Sequence, residues 1–177
     1  MRKEYGKALR KIFAERMKQE LPKFEEVKIK SIYLPGGDRA YRWKASDMLH
    51  CWVVSSPSKK DRDEFTVLIG WSKKGRYPEL SMVPCFDLPE PDRREFSNEE
   101  YLTRLPYLWT KEDKWWVIKE FYVPGSIEEL QASLAPVPEI EAKEAVEPLV
   151  VDAIDRIKEY GIPYLDDLTG SVVKDKG

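Results

Sequence analysis

The chain has 177 residues, with 30 Lys and Arg against 32 Asp and Glu, which gives a formal net charge of −2. Hydrophobic residues make up 42% of it and charged residues 35%, a composition that excludes both an intrinsically disordered chain and a membrane-embedded one. One His and two Cys exclude most zinc and disulfide-rich architectures. A chain of this length is expected to form a single domain.

The two parts of the chain differ in charge. Residues 1–82 contain 19 Lys and Arg against 11 Asp and Glu, whereas residues 83–177 contain 11 against 21. A basic half can attract nucleic acid or an acidic partner. Because basic residues alternate here with Glu and Asp, we prefer the interpretation that the two halves complement each other within one fold.

The first segment predicts an amphipathic helix. Its apolar residues recur at helical spacing, and Lys and Arg occupy the other face. The apolar positions are Tyr5, Ala8, Leu9, Ile12, Phe13 and Met17. The helix is expected to end at Leu21, because the residue before Pro22 is disfavoured in the helical conformation.

The pattern then changes to alternating and short apolar runs. Strands are predicted within residues 24–33, 40–44, 49–55 and 65–71. Turns rather than helices separate these runs, including the strong signal Pro35-Gly36-Gly37-Asp38. We therefore expect an antiparallel meander.

The middle of the chain is less regular. Residues 83–96 contain three prolines and predict a surface excursion. Ser97-Asn98-Glu99-Glu100 fits a helix capping box, which predicts a short helix to about Arg104. Trp115-Trp116-Val117-Ile118 is interpreted as a last strand, with a helix as the alternative.

The last part of the chain predicts helices. Ser126-Ile127-Glu128-Glu129 is a second capping box, and an apolar stripe runs over residues 148–160. Pro148 fits the first turn of that helix and Gly161 its C-terminal cap. The alternative is an extra helix over residues 139–147 that runs into it with a kink at Pro148.

These elements predict an α+β fold. It has an N-terminal helix, a mostly antiparallel sheet of about five or six strands, and C-terminal helices packed on one face. Residues 1–169 are expected to form the domain and residues 170–177 a flexible tail.

Few residues offer catalytic chemistry. His50 and Cys51 are neighbours on a predicted strand, so their side chains point to opposite faces. Cys85 with His50 is the one candidate nucleophile–base pair, but Cys85 is more simply read as a buried small hydrophobe. We expect no catalytic, cofactor-binding or metal-binding residue, and the residues favour a non-enzymatic protein over an enzyme.

The tryptophans carry more information about binding. Five of the six fall on predicted strands, where most are expected to fill the core. The remainder suggest a surface lined by aromatic and basic side chains. The candidate binding residues are Tyr41, Arg42, Trp43, Trp109, Trp115 and Trp116.

Several short motifs, in their order along the chain, resemble a known family. They are Tyr41-Arg42-Trp43, Phe65-Thr66-Val67-Leu68-Ile69-Gly70, Arg104-Leu105, Asp113-Lys114-Trp115-Trp116 and Tyr160-Gly161-Ile162-Pro163-Tyr164-Leu165. This order resembles the uncharacterised bacterial family catalogued as domain of unknown function 4304. The resemblance covers most of the chain and implies a small bacterial α+β domain. It implies no catalytic residue, and related proteins beside secreted toxin genes make an immunity-like role a lead.

Three functions are weighed on these grounds. The leading hypothesis is a non-enzymatic protein-binding module, immunity-like in the sense that it blocks a protein partner. The alternative is a small-molecule-binding protein or enzyme with a Trp-lined cavity between sheet and helices, gated by residues 84–109. The second alternative, nucleic-acid binding through the basic N-terminal half, is disfavoured.

Location is expected to be cytoplasmic, without membrane contact. No apolar segment follows the charged residues at the start, as a signal peptide would require. The longest uncharged run, residues 48–58, is also too short to span a bilayer.

Overall fold

The computed structural model describes residues 1–29, 37–60, 62–78, 99–110 and 112–174. Its helices are α1 (Lys3–Glu20), α2 (Ile127–Leu134), α3 (Glu139–Arg156) and α4 (Ile162–Lys174), with a 3₁₀ turn at Leu105–Leu108 and a π-turn at Ile157–Gly161. Its strands are β1 (Glu25–Val27), β2 (Arg39–Lys44), β3 (His50–Pro57), β4 (Asp63–Ser72), β5 (Glu100–Arg104) and β6 (Trp116–Lys119). The α+β class is confirmed.

The strands form one six-stranded antiparallel sheet, as the meander predicted. The first five follow one another in chain order across the sheet. β6 pairs with the first residues of β4, whereas β5 pairs with its last residues. β5 and β6 therefore lie end to end along the same side of β4.

The first helix begins and ends close to its predicted bounds. Its apolar stripe is buried, and the chain leaves the helix at Leu21, before Pro22. Arg2 fixes the start of α1 to the sheet, because its backbone N–H and its Nε each donate a hydrogen bond of 2.7 Å to Asp63.

The predicted helix over residues 100–104 is wrong, because this segment is strand β5. Its residues pair with Leu68–Ser72 of β4 and bury Leu102 and Thr103. The capping-box signal is local, and it is outweighed here by strand pairing and burial. Ser97 and Asn98 lie outside the described residues, as does the predicted excursion over 83–96.

The C-terminal helices differ from prediction at two residues. Pro148 lies inside α3 rather than in its first turn, which agrees with the alternative of a helix over residues 139–147 that runs into the next one. There Pro148 removes the hydrogen bond to the Glu144 carbonyl. Gly161 is not a C-terminal cap, because the π-turn carries the chain directly into α4. α4 itself continues to Lys174, past the predicted domain end at residue 169.

The main core lies between the sheet and the helices. It contains the buried faces of α1, α3 and the π-turn against alternate residues of β2, β3, β4 and β6. Its largest side chains with almost no exposure are Phe13, Tyr41, Phe65, Met17, Leu9, Ile69, Leu105, Ile154, Ile157 and Leu165. A smaller apolar cluster on the opposite face of the sheet contains Ala40, Trp52, Val54, Leu68, Tyr77 and Leu102.

Ion pairs join the basic and acidic halves of the chain. Arg16 contacts Glu147 at 3.5 Å, and Lys23 contacts Asp166 at 3.3 Å. Lys158 in turn contacts Glu20 of α1 at 2.6 Å. The first two pairs join cations of residues 1–82 to anions of residues 83–177, so they support the interpretation that part of the charge gradient is complementarity within the fold, whereas the Lys158 pair has the opposite sense. In the part of the chain that the structure describes, no helix is both long and apolar enough to cross a membrane.

Candidate functional site

The six candidate binding residues do not form one surface. Strand alternation turns Tyr41 and Trp43 toward the helices and Arg42 toward the opposite face. Tyr41 is 2% exposed and packs against Phe13 with ring centroids 5.7 Å apart. Its phenol therefore belongs to the core. Arg42 contacts Glu25 across the β1–β2 pair.

Trp43 forms a half-buried aromatic–cation contact at the end of β2. The Lys23 ammonium lies 3.8 Å from its ring centroid, and Phe24 packs against it edge-on at 6.1 Å. Lys23 also contacts Asp166. The free face of Trp43 is thus partly occupied by a side chain of the same protein.

Trp109 and Trp116 do lie together, beside residues that the sequence analysis missed. The Trp116 ring stacks on Phe65 at 5.5 Å, and its Nε1 donates a 2.8 Å hydrogen bond to Asp152. Trp109 packs against Trp116 at 6.5 Å and stacks on Tyr160 at 5.0 Å. Only Trp109 and Tyr160 of these aromatics are half-exposed. The π-turn places Tyr160 there, a detail that helical spacing alone does not reveal.

Trp115 and Trp116 point to opposite sides, as the adjacent pair on a strand predicted. Trp115 is half-exposed and lies under the Arg104 guanidinium, which is 4.9 Å from its ring centroid. Asp113 joins both residues, since it forms an ion pair with Arg104 and accepts a 3.4 Å hydrogen bond from the Trp115 indole. The Asp113-Lys114-Trp115 motif therefore fastens the segment before β6 to the end of β5.

One row across the sheet brings together His50, Ser72 and Glu100, residue types found in hydrolase triads. The Ser72 hydroxyl donates to Glu100 at 3.3 Å and accepts from the Lys74 backbone N–H at 3.2 Å. All three side chains are more than nine-tenths buried. A serine bonded to the carboxylate and closed to solvent is not arranged for attack on a substrate.

The lone described cysteine is placed as an apolar residue. Cys51 is fully buried in the main core, and burial raises the pKa of its thiol to about 12. A thiol in that state is a poor nucleophile at neutral pH. Cys85 lies outside the described residues. Within those residues no group of three or more His, Cys, Asp and Glu side chains could hold a metal ion.

His50 is expected to titrate below its ordinary pKa of 6.5. Burial lowers this pKa first, and the positive charges of Arg42 and Lys44 lower it further. Because the folded state resists protonation of His50, its contribution to stability is present above pH 6.5 and is lost as the pH falls toward the lower folded pKa. The chain has one histidine, so a single imidazole signal in an NMR titration reports the midpoint. A midpoint at or above 6.5 would contradict this placement.

A run of exposed apolar side chains follows β6. We call residues 121–127 the apolar turn. Its large apolar side chains are Phe121 and Tyr122, each 61% exposed, Val123 at 70% and Ile127 at 71%. The Arg62 guanidinium lies 5.8 Å from the Phe121 ring centroid. Contiguous exposed apolar side chains are typical of interaction sites.

Hydrogen bonds hold the apolar turn in one shape. Glu129 Oε2 accepts 2.7 Å bonds from the Tyr122 hydroxyl and from the Gly125 backbone N–H. Ser126 Oγ accepts a 3.1 Å bond from the Glu129 N–H, which confirms the second capping box. The hydrogen bond from Tyr122 lowers the pKa of Glu129. The turn is thus ordered before any partner arrives, which reduces the entropic cost of binding.

Loss of the Glu129 carboxylate is expected to loosen this turn. In Glu129→Ala the Gly125 N–H and the Tyr122 hydroxyl both lose their acceptor, so amide exchange at Gly125 should become several-fold faster. Glu128→Ala is the matched control, because it removes the neighbouring carboxylate, which makes neither bond. Equal exchange rates at Gly125 in both variants would show that Glu129 does not order the turn.

A groove of about 330 Å³ lies on the outer flank of α1, beside the start of α3. Its lining residues are Lys3, Glu4, Lys7, Ala8, Lys11, Ile12 and Glu15 of α1 with Glu139 and Lys143 of α3. None of them is aromatic. This groove therefore does not correspond to the Trp-lined cavity that the sequence analysis considered.

The sequence contains a signal for the apolar turn, although the positions of the tryptophans indicate other residues. Phe121-Tyr122-Val123 is an apolar run that ends at Pro124-Gly125, so it lies beside a turn and a helix cap.

No family model, curated protein or solved structure matches the chain.

Proposed function

We propose that the chain is a non-enzymatic protein-binding module that contacts its partner through the apolar turn. The observation that supports this most is the exposure of four large apolar side chains within seven residues. Burying such side chains is the main favourable contribution to protein association. The resemblance to an uncharacterised bacterial family remains a prediction, and an immunity-like role would be one form of this function.

The order of the turn supports the same proposal. Val123 and Ile127 project from a segment that Glu129 and Ser126 fix through hydrogen bonds. A rigid apolar projection is the kind of feature that fills a pocket on a partner. Trp109 and Tyr160, stacked and half-exposed, are a second aromatic feature of the surface.

The other candidate functions receive less support. The space between sheet and helices is filled by the main core, and the first part of the predicted gate over 84–109 lies outside the described residues. Among the groups that were weighed for catalysis, His50 and Cys51 are buried. No observation on the described residues favours an enzyme or a small-ligand site between the layers.

The test compares partner capture by matched surface variants. Val123→Asp/Ile127→Asp should lose a stoichiometric partner that the wild-type protein retains from source cells, because two charges replace its apolar contacts. Aspartate at residue 127 is compatible with the first turn of a helix, so folding is expected to be retained. Met48→Asp is the control, since Met48 is 58% exposed and lies on another part of the surface.

Two results would contradict the proposal. One is the absence of any stoichiometric partner in quantitative mass spectrometry of the wild-type capture. The other is capture of the same partner, in the same amount, by Val123→Asp/Ile127→Asp. Circular dichroism of each variant separates a lost interaction from a lost fold.

A further inference from the structure

We infer that the groove between α1 and α3 is a second binding surface, which receives an acidic helical segment of a protein partner. This surface shares no lining residue with the apolar turn, and the inference does not depend on the proposed function. Its main feature is a stripe of lysines along the outer flank of α1. Lys3, Lys7 and Lys11 recur every four residues and line the groove from one side, while Lys143 of α3 lines it from the other.

The lysines of the groove make at most long, exposed ion pairs within the fold, and Lys143 reaches Glu147 only at 4.0 Å. Lys3 and Lys11 form no ion pair with any described residue, and Lys7 reaches Glu139 only at 3.9 Å, with both side chains more than two-thirds exposed. Arg16 differs, because it is paired with Glu147 and with Glu20. The basic residues of the first half thus fall into two groups: some form ion pairs with the second half, and others are lysines exposed to solvent.

The spacing of the lysines fits a helix laid alongside α1. Side chains four residues apart on a helix lie about 6 Å apart along its axis, so three lysines span about 12 Å. A partner helix with carboxylates at the same interval could place one against each lysine. Ala8 and Ile12 are the apolar residues that line the groove.

An exposed isoleucine that follows a lining residue of the groove in the chain suits a protein segment. Ile140 is 70% exposed and follows Glu139, which lines the groove. An amphipathic acidic helix would cover Ile140 with an apolar side chain while its carboxylates face the lysines. Burial of this side chain would add apolar contact to the ion pairs.

The groove fits an acidic protein segment better than a nucleic acid. Glu4, Glu15 and Glu139 line the same groove as the four lysines. A phosphate backbone is uniformly negative and would meet these carboxylates unfavourably, whereas a peptide can place a Lys or Arg against them. The lining also contains no aromatic ring on which a base could stack.

The probe is a fluorescein-labelled Ala-rich peptide of about 15 residues, with Glu at every fourth position and one Leu, measured by fluorescence anisotropy. Its matched control carries Gln in place of Glu. We expect the Glu peptide to bind the wild-type protein more tightly than the Gln peptide does. Its binding should become several-fold weaker as the salt concentration rises from about 50 to about 200 mM.

Charge reversal in the groove should reduce this binding by about tenfold, since each exposed ion pair contributes modestly. The variant is Lys7→Glu/Lys11→Glu. Lys18→Glu/Lys28→Glu makes the same change in net charge at two exposed lysines outside the groove, and it should reduce binding less than about threefold. All four positions are exposed, so circular dichroism should show both variants folded.

Three outcomes would overturn the inference. They are no binding of the Glu peptide, equal losses in the two double variants, and tighter binding of a duplex DNA that the groove variant abolishes. The last would assign the groove to nucleic acid. Val123→Asp/Ile127→Asp should leave peptide binding unchanged, so failure of this inference and failure of the proposed function are distinguishable.

Discussion

Gly70→Ala is expected to lower the free energy of unfolding by about 3 kcal/mol, more than the same substitution at Gly161 or Gly170. Gly70 lies in β4, paired with Trp52 on one side and with Leu102 on the other. A Cβ at this position would lie 2.7 Å from the Leu102 Cα and would overlap the backbone oxygen of Tyr101. Backbone atoms of a paired strand cannot move aside without separating β4 from β5.

Two other glycines make this a graded experiment. At Gly161 the added Cβ would lie 2.6 Å from the Ile69 Cδ1, the end of a side chain that can rotate, so Gly161→Ala should cost about 1–2 kcal/mol. At Gly170 in α4 it would meet nothing within 4 Å. Gly170→Ala should therefore leave stability unchanged or raise it by up to about 1 kcal/mol.

Urea unfolding followed by tryptophan fluorescence measures all three variants. The structure requires the loss of stability to fall in the order Gly70→Ala, Gly161→Ala, Gly170→Ala. If Gly70→Ala unfolds within about 0.5 kcal/mol of wild type, less than a typical overpacking cost, then β5 does not pair with β4 as described.

Asp113→Ala is expected to cost about 2–3 kcal/mol. The ion pair of Arg104 and Asp113 is well shielded, with side chains 17% and 16% exposed. Removal of the carboxylate leaves the guanidinium against Trp115 without a partner, and it also frees the Trp115 indole N–H. An unpaired charge in a shielded site costs more than the pair itself contributes.

A double-mutant cycle isolates this interaction. The loss in free energy of unfolding of Arg104→Ala/Asp113→Ala should be smaller than the sum of the losses of the two single variants, by a coupling energy of about 1–2 kcal/mol. Glu26→Ala is the control, because it breaks the more exposed pair with Arg39 and should cost at most about 1 kcal/mol. Additive losses at residues 104 and 113 would mean that the two side chains act independently.

The parts of the fold that local sequence determines could be predicted. The stripe in α1 and the alternation in β2 each bury one side of one element, so their period appears directly in the chain. The same alternation separated Trp115 from Trp116, but it was not applied to Tyr41, Arg42 and Trp43, which were wrongly grouped as one surface. These predictions depend on no distant residue.

The errors arose where tertiary contacts outweigh a local signal. Residues 100–104 follow a capping box, yet they pair with β4 and bury Leu102. Pro148 is tolerated inside α3, because Val146 and Val150 on either side of it are fully buried. Gly161 resembles a helix cap in sequence, whereas its small size is needed for the approach to Ile69.

The candidate site could be predicted only in part. Residue type identified aromatic and basic candidates, but the order of strands in the sheet decides which of them meet. Trp43 on β2 and Trp116 on β6 are separated by β3 and β4, and they also lie in different rows of the sheet, because the row of Trp43 crosses β4 at Trp71 and that of Trp116 at Phe65. Exposure of the apolar turn also depends on what the rest of the chain leaves uncovered.

Hydrogen–deuterium exchange of the protein with its captured partner tests the central proposal most directly. We expect protection on binding to centre on residues 121–129, with little change over residues 46–50 around the control residue Met48. Protection confined to other surfaces, with residues 121–129 exchanging as in the free protein, would contradict the assignment of the apolar turn as the binding surface.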